Sequence, residues 1–208
     1  AKKMATLDPI RLKFSKDNVV ELIGCPAGEF MMGKMNDVGK DSESKYHKVI
    51  ISRPFWMSKY KVTHQMYSRF EKVDLSEEDK ALGGWNRVHK FSARKAIEFF
   101  ECLNKSPLRK TIPKDYVFRL PTEAEWEYAL YAGATDADDP YVKLKEGRLK
   151  SKFSILVSLA DAKMMDPKHR FPTSDMNWGT AVGTKQPNRW GFYDMIGFGG
   201  DRCCSLRS

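Results

Sequence analysis

Cysteine and histidine are the residue types here that could do covalent or metal chemistry, and their spacing limits what that chemistry could be. The cysteines are Cys25, Cys102, Cys203 and Cys204, and the histidines are His47, His64, His89 and His169. No CxxC pair occurs and the histidines are scattered, so the ligand spacing of a zinc site is absent. Four cysteines in 208 residues do not form a disulfide scaffold, and they leave the redox compartment open. Cys203 and Cys204 are adjacent in sequence, with Arg202 and Arg207 close by. A reactive thiol needs a thiolate, a positive neighbour and an access path. The arginines supply only the second of these, so the vicinal pair is read as incidental, with a reactive pair as the alternative. His47 opens an alternating segment beside a loop; it could be a ligand or a base, but a structural hydrogen-bonding role is adopted. No catalytic residue and no metal ligand is assigned.

Bulk properties narrow the partners. A hydrophobic fraction of 41% with 12% aromatics supplies a core, and 208 residues suit one domain. The formal net charge of +9 admits an anionic partner or a plain lysine-rich surface. No dense Lys/Arg block interleaved with aromatics occurs, so nucleic acid is not expected as a partner. The run Lys143, Lys145, Arg148, Lys150, Lys152 is read as a solvated loop. No apolar run approaches the ~20 residues of a spanning helix. The chain opens on Ala1-Lys2-Lys3-Met4 without an apolar signal core. A processed start is expected, leaving room for an export signal or lipid anchor upstream and a cell-surface location.

Any candidate site needs elements to hold it, and the best-defined is Tyr116 to Gly133. Tyr116, Val117 and Phe118 suit a strand. Pro121 stops any helix before it, Thr122 is a good N-cap, and Glu125 three residues later completes a capping box. Trp126, Ala129 and Leu130 fall on one face of a helix running from Thr122 to Ala132, with Gly133 as its C-cap glycine. Trp126 is read as a core residue.

The remainder follows in order. Residues 1–18 are polar and form an edge strand or an arm. The apolar run Val19, Val20, Leu22, Ile23 and the return Phe30-Met31-Met32 read as a hairpin turning at Pro26-Ala27-Gly28. A strand begins at His47, Pro54 breaks it, and Phe55 to Val62 is a second strand. Thr63 caps a short helix carrying Met66, Tyr67 and Phe70. Asp74 to Gly84 is a polar loop. Ser92 caps a helix to Lys105 whose core face is Ala96, Phe100 and Leu103, with Ile97 beside them and Cys102 as a small buried hydrophobe. Asn104 to Pro113 is an exit loop, Thr135 to Asp139 and Asp166 to Asp175 are loops, and Phe153 to Ala160 is a buried strand. In the last block Pro187-Asn188 and Gly191 supply turn chemistry, while Trp190, Phe192, Tyr193 and Met195 supply core side chains.

These segments carry a resemblance. RLPTEAEWEYA, PAGEFMMG, the run from His47 through Phe70, and VGTKQPNRWGFYDMIG are similar to the ordered blocks of the formylglycine-generating-enzyme / sulfatase-modifying-factor family. The resemblance runs from about residue 21 to Gly197. It implies an α+β, C-type-lectin-like fold with two main helices and small irregular antiparallel sheets, in a single domain over residues 1–208. Lys61 stands where family members usually have Glu. After Gly197 the family pattern continues Asn-Val-Trp-Glu-Trp; this chain reads FGGDRCCSLRS, a divergent segment from Phe198 to Ser208. The Asn and Glu that help hold calcium in the family have no counterpart there. Calcium therefore stays an implication of the resemblance without identifiable ligands, and no other cofactor is expected. The family's catalytic cysteine pair is spaced, so Cys203 and Cys204 do not match it.

The resemblance also covers the variable proteins of diversity-generating retroelements, whose C-terminal region is altered at adenines. Phe, Gly, Asp, Arg, Cys, Ser and Leu, the residues of this segment, are all reachable by adenine substitution in an Asn codon. The expected function is thus non-enzymatic binding of a protein or glycan ligand on a variable surface, by a monomer. Phe198, Asp201, Arg202 and Arg207 are expected to touch ligand, with Trp190 as support, because aromatics and arginines are frequent hot spots on displayed loops. A frayed segment is the competing view. The alternative function is a formylglycine-generating type of oxidoreductase.

Overall fold

Strand β2 (Asn18–Cys25) is apolar on both faces over its second half, and the fold is built on that fact. The structure is a computed structural model and describes residues 7–33, 47–81, 83–89, 92–134, 181–184 and 186–195. β2 is the middle of a three-stranded antiparallel sheet, between β1 (Ile10–Ser15) and β5 (Phe55–Ser58). Because side chains alternate across a strand, Val20 and Leu22 face one core while Ile23 and Cys25 face another. β5 divides the same way, Trp56 toward the first side and Phe55 and Met57 toward the second. Gly24 is required within β2, since a Cβ there would lie 2.4 Å from the Leu7 side chain.

The first core joins Leu12 and Phe14 of β1 to α1 (His64–Tyr67) and α3 (Ala93–Lys105) through Met66, Tyr67, Phe99 and Leu103. The second joins β2 and β5 to α4 (Glu123–Tyr131), to Phe192 and Met195, and to a separate ribbon of β3 (Gly28–Met32) and β4 (His47–Ile51). Phe30, Val49 and Ile51 turn the ribbon's apolar side inward. On its other side Glu29 faces Ile50 and is bridged by Lys48 at 2.8 Å. The mixed helices and small antiparallel sheets are the α+β class expected.

Capping chemistry accounts for the helix starts. The Thr122 hydroxyl accepts from the Glu125 amide at 3.1 Å and the Glu125 carboxylate accepts from the Thr122 amide at 2.8 Å. Thr63 caps α1, and its own amide donates to the Met66 sulfur at 3.4 Å. Ser92 caps α3 by accepting from Lys95.

Several expectations are corrected. The run from Val19 to Met32 is no hairpin: β2 and β3 lie in different sheets, because β2 spends its edges on β1 and β5. Tyr116 to Phe118 joins no strand among the described residues; the Asn104 amide takes a strand's place, accepting from the Phe118 amide and donating to its carbonyl, both at 2.8 Å. β5 stops at Ser58, where the hydroxyl turns the chain by donating to the Tyr60 carbonyl at 2.7 Å. The acidic loop holds a short helix α2 (Glu77–Ala81), followed by a 3-10 turn Gly84–Asn86, and the exit loop holds another, Pro107–Thr111. On α3 it is Phe99, not Phe100, that is fully inside, and Ile97 and Cys102 are exposed. α4 ends at Tyr131 with Ala132 in the left-handed region at φ 49°, one residue ahead of Gly133. Trp126 packs on the second core only in part. The basic run 143–152, the strand 153–160 and the loops at 135–139 and 166–175 lie outside the described residues.

Candidate functional site

The late segment 186–195 precedes the expected contact residues in sequence, and one buried side chain fixes it. Asn188 donates from Nδ2 to the carbonyls of Ala129 (2.7 Å) and Leu130 (3.1 Å), in the last turn of α4. Its Oδ1 accepts from the amides of Trp190 and Phe192, both at 3.1 Å. Helix-end carbonyls lack partners within the helix, so Asn188 satisfies α4 and shapes its own turn at once. Phe192 then enters the core completely, Trp190 packs edge-on against Tyr128 at 5.2 Å, and Met195 is buried.

Beside this segment two tyrosines make a platform. The Tyr193 amide donates to the Lys59 carbonyl at 3.1 Å, which brings the rings of Tyr60 and Tyr193 to 5.0 Å. Lys59 lies 5.8 Å from each ring centroid and 3.3 Å from the Glu21 carboxylate. Burial raises the Tyr60 hydroxyl above its ordinary range, with Lys59 pulling the other way. Asp194, at φ 56°, accepts from the Gly183 amide at 2.7 Å. Gly183 is itself at φ 76° and lies against Tyr60; any Cβ there would be 2.7 Å from the ring. Tyr60, Tyr193, Lys61, Trp126 and Met195 form part of the wall of a cavity of ≈ 720 Å³. On the same wall, Arg119 grips Glu125 with two hydrogen bonds of 2.6 and 2.7 Å, which hold that carboxyl below its usual range against burial. Aromatic faces with fixed charges recognise ligands by stacking and hydrogen bonding.

A second polar cluster gathers around α1. His64 of α1 and His89 meet through their Nδ1 atoms at 2.9 Å, with ring planes at 84°. Backbone pairing holds them there: the His64 amide donates to the Arg87 carbonyl (3.0 Å) and the His89 amide to the Val62 carbonyl (2.8 Å). His89 stacks on Tyr67 at 4.1 Å, and His64 Nε2 is 3.5 Å from Asp79 Oδ1. Asp79 also binds Arg87 and accepts from the Ser76 hydroxyl at 2.7 Å. Tyr67 donates to Glu71, which Lys95 neutralises at 2.9 Å. Burial pushes His89 down to about 4 and lowers His64 as well, so both are neutral at pH 7.

The described thiols offer little chemistry. Cys25 is fully buried, and burial drives its ionisation far above the ordinary thiol range. Cys102 is exposed on α3. Among the described residues no group of three or more His, Cys, Asp or Glu side chains is arranged to hold a metal ion.

Of the residues expected from sequence, Trp190 is half-buried and packs against the second core. Phe198, Asp201, Arg202 and Arg207 lie outside the described residues, as do Cys203 and Cys204. His47 is the exposed first residue of β4, paired in register with Met32. The sequence reading missed the Asn188 bridge, the Tyr60–Lys59–Tyr193 platform and the His64–His89 pair. Pro187-Asn188 gave a turn signal, but the bridge joins residues 59 positions apart. The histidines are 25 positions apart and belong to no local pattern.

Comparison with known proteins follows this geometry. Residues 11–198 match the family model of the sulfatase-modifying factor enzyme 1-like domain. The serine/threonine-protein kinase pkn1 of Chlamydia pneumoniae is 26% identical over 193 residues, 86% of this chain; the chain spans about a quarter (26%) of that relative's length. Among solved structures, Treponema denticola variable protein 1 aligns with a TM-score of 0.58 at 18% identity, over 93% of this chain and 73% of that one. PvdO from Pseudomonas aeruginosa aligns with a TM-score of 0.50 at 22% identity, over 91% and 72%. At these identities the two structures speak for the fold.

Proposed function

Since the chain belongs to the sulfatase-modifying factor enzyme 1-like family, we propose that it is a non-enzymatic member that binds a protein or glycan ligand. Its contact surface is the segment from Phe198 to Ser208 together with the Tyr60–Tyr193 platform. The carrying observation is the fixed base that precedes that segment in the chain. Asn188 ties the late turn to α4, and Phe192 and Met195 anchor the residues just before the family match ends at 198. A rigid base followed in the chain by a divergent stretch suits a recognition surface, because such a stretch can change while the core residues stay the same. Likeness of fold to Treponema denticola variable protein 1 supports the same reading. Buried Cys25 and exposed, unclustered Cys102 favour binding over thiol oxidation among the described residues.

The test exchanges residues 198–208 for an unrelated polar sequence. Wild type and exchange are screened on a glycan array and a displayed peptide library. The expected result is an unchanged melt and loss of every ligand that wild type holds. Retention of those ligands at unchanged affinity overturns the assignment of the surface. The family name also suggests an oxidase. Mass spectrometry of a sulfatase-type cysteine peptide, incubated with the protein, copper and oxygen, is expected to show the thiol intact, and conversion to formylglycine would favour that reading instead.

A further inference from the structure

We propose that the outer edge of β5 docks an extended segment of a partner protein, apolar on both faces and acidic at its Arg53 end. The segment joins the β1–β2–β5 sheet as a further strand. The register shows which backbone groups are on offer. β5 pairs with β2 on one side, Phe55 opposite Cys25 and Met57 opposite Ile23. Just beyond, the Lys59 amide donates to the Glu21 carbonyl at 2.9 Å. Hydrogen-bonded and non-bonded pairs alternate along an antiparallel ladder, so Phe55 and Met57, in phase with Lys59, turn their backbone groups toward β2. Trp56 and Ser58 therefore turn their amides and carbonyls outward. Among the described residues nothing pairs with those groups. Pro54 shares the outward phase, and the Tyr116 hydroxyl donates to its carbonyl at 3.0 Å. Tyr116 thus closes one end of an unpaired edge, and such an edge is a template for another strand.

The cavity of ≈ 720 Å³ runs along this edge, and every residue from Arg53 to Ser58 lines it. Residues of both cores share its wall because the two faces of a sheet meet at the sheet's edge. Side chains of an added strand alternate between those faces. Opposite Trp56 and Ser58 they meet Phe100, Tyr116 and Phe118; opposite Phe55 and Met57 they meet Trp126 and Met195. Both sides are apolar, so the fitting segment is apolar on both. The 115–121 wall does not take the strand's place, since Asn104 occupies both backbone groups of Phe118. Charge sets the polar end. Arg119 and Glu125 on the wall bind each other, which leaves Arg53 and Lys61 against Asp115. Arg53 is exposed, lies 5.9 Å from the Tyr116 ring centroid, and makes no ion pair among the described residues. It is placed to meet an acidic residue where Tyr116 ends the slot. The site uses no residue from 198 to 208, so it stands or falls apart from that part of the surface proposed above.

The experiment uses the full chain and two capped synthetic peptides, Glu-Val-Leu-Val-Leu and Leu-Val-Leu-Val-Glu, each with a fluorescent label on a polyethylene glycol tail. Binding is read by fluorescence anisotropy, and amide hydrogen exchange by nuclear magnetic resonance. The expected result is saturable binding of one peptide with Kd below about 1 mM. Exchange at the Trp56 and Ser58 amides, fast in the free chain, should slow roughly tenfold or more at saturation. N-methylation of alternate peptide amides should abolish binding in one phase and spare it in the other, because only every second residue of a strand bonds to a given neighbour. Arg53→Glu, a change at an exposed position, should weaken the glutamate peptide roughly tenfold and its glutamine analogue much less. Absence of saturable binding by either peptide would overturn the site. So would Trp56 and Ser58 amides already protected in the free chain, or protected with rising chain concentration, which would mean a second copy on the edge. Equal binding in both N-methylated phases would mean an apolar cavity filled without strand pairing, and would overturn it too. The exchange and N-methylation results come from the unaltered chain, so the test holds even where Arg53→Glu does not fold.

Discussion

Replacing Asn188 by Asp changes one atom in kind and tests the central bridge of the fold. The Asn188 amide group donates two hydrogen bonds, to the Ala129 and Leu130 carbonyls, and its oxygen accepts two, from Trp190 and Phe192. An aspartate keeps the accepting side. It loses both donors and sets a carboxylate oxygen against two carbonyl oxygens in a buried place. Each lost bond is worth about 1 kcal/mol net, and leaving a buried polar group without a partner adds about 1–3 kcal/mol. The deficit expected at pH 7 is therefore about 3–5 kcal/mol, or roughly 10 °C in melting temperature for a chain of this size. The two carbonyls raise the pKa of the new carboxyl. Below its folded pKa it is protonated and donates one hydrogen, so the deficit shrinks as pH falls. Asn188→Ala loses bonds on both sides and has no such pH dependence. Thermal melts of wild type and both variants between pH 4 and 8 measure this. An Asn188→Asp melt within about 1 °C of wild type at pH 7, or a pH profile parallel to that of Asn188→Ala, would refute the bridge.

Two further outcomes concern stability. The Tyr128 hydroxyl is buried and has no hydrogen-bond partner among the described residues, so Tyr128→Phe should leave the melt unchanged or raise stability by about 0.5–1 kcal/mol; a loss above 1 kcal/mol would reveal a partner for the hydroxyl. The folded pKa values of His64 and His89 lie below the ordinary 6.5. Their contribution to stability is therefore complete above pH 6.5 and is lost as pH falls from there toward 4. The full His89 shift corresponds to about 3 kcal/mol, and solvent screening at a half-buried ring brings it to about 1–2 kcal/mol. Wild type should lose that much more stability than His89→Gln between pH 7 and 4.5; parallel profiles would exclude His89 as the cause.

Local chemistry was readable from the sequence wherever partners lie within one turn. The Thr122–Glu125 box, the caps at Thr63 and Ser92, and the break at Pro54 are decided by residues three or four apart, and they stand in the structure as read. The family blocks carried the fold class for the same reason: they record local sequence in a fixed order. What failed depended on who lies opposite. β2 and β3 share a turn, yet β2 prefers β1 and β5, a choice made by burial on both its faces. Tyr116 to Phe118 has strand-forming residues but meets the Asn104 side chain instead of another strand. Phe99 and Phe100 are equivalent as sequence, and only the packing of α3 puts Phe99 fully inside and Phe100 partly so. The candidate sites belong wholly to this second kind. Asn188 reads as a turn residue until α4 ends beside it, and His64 and His89 are unremarkable until backbone pairing of residues 62–64 with 87–89 brings their rings together. Hydrogen bonds and side-chain pairs act over a few ångströms of space, whatever the distance along the chain, so only the tertiary structure could bring these partners together.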